Sequence, residues 1–216
     1  MGRTGVMLVL LAASVATLGA FQATLDPASL SDAIVLGKST SDSARANFNA
    51  PYHINVGAAP VDAIDVVTPF RRIVLDAESR SREGNRVSYG QQVALATLGD
   101  DPSRVDIVVD LTFSPLNSYV GVPDFAVTLV PQSGDLIQPR TIAKLSRSGP
   151  KLGASTLAYP YTTGTSQVPG KVPMTGGMLI ATFDGKALDA RGVYVVMVTG
   201  REGEPAKARV DFSKLR

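Results

Sequence analysis

The 216-residue chain contains one histidine, His53, and no cysteine. Acid–base or nucleophilic chemistry would therefore have to run through that imidazole or through carboxylates. A Ser-His-Asp triad would need His53, yet no G-x-S-x-G elbow presents a nucleophilic serine. His53 also falls on the outward side of an alternating run from Tyr52 to Val56, the pattern of an exposed strand position. Lack of cysteine excludes thiolate catalysis, disulfides, a lipoprotein-type anchor and cysteine-bound metal. Asp100, Asp101, Asp106 and Asp110 form an acidic cluster, and calcium takes clustered oxygens. But EF-hand spacing is missing, and Asp106 and Asp110 would stand roughly 13 Å apart on one strand. Gly176-Gly177 precedes a strand, so no helix N-terminus cradles a phosphate. Many acids could supply the pair a glycosidase needs, and no pattern selects one. The sequence assigns no catalytic residue, metal or cofactor.

Two groups of side chains are better suited to binding. Tyr159-Pro160-Tyr161 lies in a stretch from Leu145 to Gly176 that is rich in Gly, Pro, Ser and Thr. Two rings held by proline on such a loop can stack on a sugar or pack on a protein; alternatively they cover the rim of the core. Arg71 and Arg72 open a basic run continued by Arg80, Arg82 and Arg86, which could meet an anionic partner. Glu78 and Glu83 interrupt it, as on a solvated mixed-sign surface.

The elements that must position these residues follow from pattern. Residues 1–23 read as a signal peptide: Arg3, an apolar run from Val6 to Leu18, then small residues to Ala23. An uncleaved signal-anchor is the rival reading of the same segment. Residues 24–50 form a helical or irregular arm, opened by the Asp26-Pro27 cap signal and stopped at Gly37. Residues 51–216 form the domain. There the period turns to two: Tyr52–Val56, Val61–Thr68, Phe70–Ala77, Arg104–Phe113, Asp124–Val130 and Leu136–Ile142 read as strands. A bend at Thr68-Pro69 and a hairpin at Gln132–Asp135 join neighbours, and a short helix spans Tyr89–Leu98. Formal net charge is +2, too small for a field that would gather nucleic acid.

The clearest run is C-terminal, from Gly177 to Phe212: three strands, a corner and a hairpin. Within it Leu188 stands six residues before Tyr194 and Gly192 two before, and Tyr194 opens Y-V-V-M-V. This resembles the tyrosine corner of immunoglobulin-like and fibronectin-type sandwiches, over about 35 residues and as a mark of architecture alone. It departs from the antibody pattern, with Val196 where a cysteine would stand and no tryptophan in the chain. The expected fold is a mainly β, antiparallel immunoglobulin/fibronectin-III-like sandwich with a short N-terminal helical arm and one inserted helix. The expected function is that of an exported, periplasmic or extracellular, non-catalytic protein that binds a protein or cell-envelope glycan through loops. A membrane contact is expected only if the N-terminal segment stays uncleaved. A carboxylate hydrolase of an extracellular or envelope polymer and a structural part of an envelope assembly are the alternatives. Leu188, Gly192 and Tyr194 are expected to be structural.

Overall fold

Alternation of apolar residues along Arg104–Thr112 builds the central strand of the molecule. A computed structural model of the chain describes residues 20–84, 88–148, 161, 174–201 and 203–216. The fold is mainly strand, with two antiparallel sheets and several helices. Its strands are β1 (His53–Ala58), β2 (Val61–Val67), β3 (Arg104–Thr112), β4 (Ala126–Pro131), β5 (Thr141–Ser148), β6 (Met174–Asp184), β7 (Val193–Thr199) and β8 (Ala206–Asp211). The larger sheet runs β1-β2-β3-β6-β5 and the smaller β4-β7-β8. One buried cluster takes Val105, Ile107, Val109 and Leu111 of β3 and Leu179, Ala181 and Phe183 of β6 from the larger sheet. The smaller sheet adds Val127, Leu129, Tyr194, Val196, Val198 and Val210 to the same cluster. Each of the larger aliphatic and aromatic side chains among them contributes roughly 1.5–3 kcal/mol by leaving water, so this inter-sheet layer is the main cohesive element.

The other face of the larger sheet is not bare. Helix α3 (Pro69–Arg82) lies on it, with Leu75 packed among Val67, Val108 and Met178. Helices α1 (Pro27–Gly37) and α4 (Gln91–Leu98) pack in turn on α3 through Leu30, Ala33, Ile34, Ile73, Val74, Ala77, Ala94 and Leu98. The signals at the start of α1 hold: Asp26 accepts from the Ser29 N–H at 2.7 Å, and Pro27 occupies the first turn. Gly37 ends the helix and also sets its distance from α3. A Cβ there would stand 2.5 Å from the Val74 carbonyl oxygen. A further helix, α2 (Asp42–Asn49), leads toward β1.

Two expectations are corrected. Phe70–Ala77 is not a strand but the first part of α3, so two helices, not one, interrupt the strands here. Thr68-Pro69 is its cap: the Thr68 hydroxyl accepts from the Arg71 N–H at 3.2 Å, and proline stands where a helix lacks an N–H partner anyway. Every residue from Pro69 to Glu78 is buried, so no polar stripe marks the helical period. The second correction concerns Gln132–Asp135. The chain turns back there and Ile137 bridges Leu129, but the expected strand Leu136–Ile142 does not form: β5 starts at Thr141 and lies in the other sheet from β4. The corner before β7 has the expected geometry: the Tyr194 hydroxyl accepts from the Asp189 N–H at 2.7 Å, and Leu188 is buried. A Cβ on Gly192 would stand 2.6 Å from the Tyr194 ring.

Candidate functional site

The arginines singled out in the sequence point inward. Both begin α3, and α3 lies on the sheet, so their guanidinium groups meet the outward aspartates of β2 and β3. Arg71 donates to Asp65 Oδ1 at 2.8 Å, to the Val66 carbonyl at 2.8 Å and to Asn49 Oδ1 at 3.1 Å. Its guanidinium also lies 4.9 Å from the centre of the Tyr52 ring. Arg72 is fully buried and donates to the Arg104 carbonyl at 2.7 Å and to Asp106 at 3.5 Å. Its Nε and Nη1 have no hydrogen-bond partner among the described residues. Neither arginine offers its charge to an external anion.

Asp106, wholly buried, gathers the rest of this layer. It accepts from Tyr161 at 2.7 Å and Thr182 at 2.9 Å, and Arg104 Nε lies 3.3 Å away. Tyr161 packs beside Val108, Leu75 and Met178, so its ring covers the sheet face. Burial, and then the Asp106 carboxylate, push its hydroxyl well above the ordinary tyrosine range. Tyr159 lies outside the described residues. Asp110 is held by Arg147 at 2.8 Å, which reaches it from β5 by lying across Gly176 of the intervening β6. On the edge strand, His53 Nδ1 lies 3.0 Å from Asp65 and Nε2 lies 3.2 Å from Asn55 Oδ1. The hydrogen bond to Asp65 raises the His53 pKa. Asp65 is lowered: burial opposes ionisation, but His53 and Arg71 outweigh it. A buried ion pair holds geometry more than it adds stability, so this layer locks α3 onto the sheet.

An open cleft lies at one end of the two stacked sheets. There the segment from Ser114 to Phe125, between β3 and β4, faces the Gly200-Arg201 turn after β7 and Pro60 of the β1–β2 turn. Between them is an open cleft of about 560 Å³ lined by residues 118–125, Pro60, Gly200 and Arg201. The loop is pinned from within. Asn117 Nδ2 donates to the Met174 carbonyl at 2.9 Å, and Asn117 Oδ1 accepts from the Tyr119 N–H at 2.9 Å. The Tyr119 ring meets Phe113 edge-on at 5.0 Å, and Val122 is buried against Gly177, where a Cβ would come within 2.6 Å of it. Yet the same loop turns Leu116, Tyr119 and Val120 outward, with relative exposures of 95%, 48% and 106%. Exposed Asp124 sits on the rim, paired with Lys144 and 3.7 Å from Arg201. Lys144 holds the Asp124 carboxyl below its ordinary range.

The strand patterns in the sequence leave Tyr119 and Val120 unassigned, between Arg104–Phe113 and Asp124–Val130. The signal was the apolar residues of L-N-S-Y-V-G-V-P, which follow no strand alternation; Val122 enters the core, and Leu116 and Val120 do not. Among the described residues, no group of three or more His, Asp or Glu is placed to hold a metal ion. No described helix is long and apolar enough to cross a membrane. No family model, curated protein or solved structure matches the chain.

Proposed function

We propose that this is an exported, non-catalytic sandwich protein that binds a protein partner through the loops at one end. The observation that carries the reading is the loop of residues 114–125, fastened by Asn117, Tyr119 and Val122 while it displays Leu116 and Val120 to solvent. Holding a loop fixed before contact reduces the ordering cost of binding, and fully exposed aliphatic side chains gain only when a partner covers them. An apolar centre with charged Asp124, Lys144 and Arg201 at its rim has the anatomy of a protein interface. A glycan would ask for hydrogen-bonding groups where Leu116 and Val120 stand. The hydrolase alternative draws less support, because Asp65, Asp106 and Asp110 are engaged with arginines. The Tyr194 hydroxyl bond to the Asp189 N–H supports the finer assignment to an immunoglobulin/fibronectin-III-like sandwich, to which α1, α3 and α4 are an addition. Export rests on the charge-free apolar run from Val6 to Leu18.

A photo-reactive residue placed at Val120, and for comparison at exposed Ala46 of α2, tests the reading in cells that make the protein. Position 120 is expected to yield a discrete protein adduct that position 46 does not. Equal, diffuse labelling from both positions would overturn it.

A further inference from the structure

The loop end combines on one patch features that a partner would have to match. Val120 projects from the lining of a concave cleft of about 560 Å³, and Leu116, four residues earlier in the same loop, is also exposed. Asp124 and Arg201 carry opposite charges on its rim, with side chains 74% and 82% exposed. A two-fold contact requires a patch that complements itself, so that each protrusion finds a depression and each acid a base on an identical surface. Here Val120 is the protrusion and the cleft it lines the depression; Arg201 is the base, and Asp124, paired in its own chain with Lys144, the acid. The formal net charge of +2 sets only weak repulsion between two copies.

We propose that the partner at this end is a second copy of the chain, arranged about a two-fold axis. The inference rests on the loop end being the binding surface. Val120 of each copy enters the cleft of the other, between the Ser118–Phe125 segment and Gly200-Arg201. Arg201 of each copy then shares Asp124 of the other, and burial of the apolar centre strengthens that pairing.

The cysteine-free sequence makes the test clean. Val120→Cys in the full chain, treated with a short bismaleimide, is expected to give a covalent dimer, and Ala46→Cys is not. Asp124→Arg in the Val120→Cys chain should cut dimer yield at least several-fold, and adding Arg201→Asp should restore it. Both rim side chains are exposed, so loss of folding does not account for that pattern. No dimer from Val120→Cys, or dimer that ignores the charge reversals, overturns the second-copy inference. A photo-adduct from position 120 with the mass of a different protein would overturn it too, while leaving the loop-end reading intact. Absence of both a dimer and any specific adduct would overturn the two together.

Discussion

Asp106 shows what single residues do here. It is a buried carboxylate facing Arg72, Arg104, Tyr161 and Thr182, and its removal would strand two cationic groups. Asp106→Asn should cost about 3–5 kcal/mol in equilibrium denaturation, the magnitude of breaking one side of a buried pair. Asp124→Asn, at an exposed pair, should leave the midpoint unchanged. The His53–Asp65 pair makes stability depend on pH with a definite sign. His53 is raised in the fold, so its contribution is complete below its unfolded value, about 6.5, and fades as pH rises through the folded one. Asp65 is lowered, so its contribution is complete above about 3.9 and is lost as pH falls through the folded value. Their joint effect is greatest between those limits. His53→Gln should therefore lower the thermal midpoint near pH 5.5 and have little effect near pH 9, where the wild-type imidazole is neutral. A penalty equal at both pH values would show that His53 acts by packing alone. The lone histidine was legible as a strand position; its aspartate partner was not, since their pairing depends on the β1–β2 register, which joins His53 to Asp65.

At the scale of elements, strands were the more legible part. Each of β2, β3, β6, β7 and β8 carries apolar residues on the face turned to the other sheet, and that alternation survives in sequence. Helix α3 was hidden because it is covered on every side from Pro69 to Glu78, by the sheet below and by α1 and α4 around it. Arg71 and Arg72 then looked like surface charge, when the aspartates that receive them lie on strands six and thirty-four positions away. The corner before β7 was legible because it depends on local spacing, and it makes a prediction at this scale. Tyr194→Phe removes the acceptor of the Asp189 N–H and should cost about 0.5–1.5 kcal/mol, leaving the loop end able to bind. No loss on denaturation would contradict the corner's structural role. Gly176 also serves two strands at once: Arg147 lies over it to reach Asp110, and a side chain there would overlap the Leu111 carbonyl. Gly176→Ala should cost on the order of 1–3 kcal/mol by overpacking.

For the whole molecule, these placements divide the labour. The helices and the arginine layer cover one face of the larger sheet and fix it, and the smaller sheet covers the other. Neither covers the end where the Ser114–Phe125 loop, Pro60 and the Gly200-Arg201 turn line an open cleft, and this is where the proposed partner would sit. That convergence was illegible in sequence, because the three segments are far apart along the chain and meet only once the sheets stack. The measurement that tests this most directly is the photo-adduct yield from position 120, compared between the otherwise native chain and Leu116→Ser. The account predicts one discrete adduct in the first chain and its loss in the second, with an unchanged thermal midpoint, because Leu116 is exposed. A yield indifferent to Leu116→Ser would contradict it.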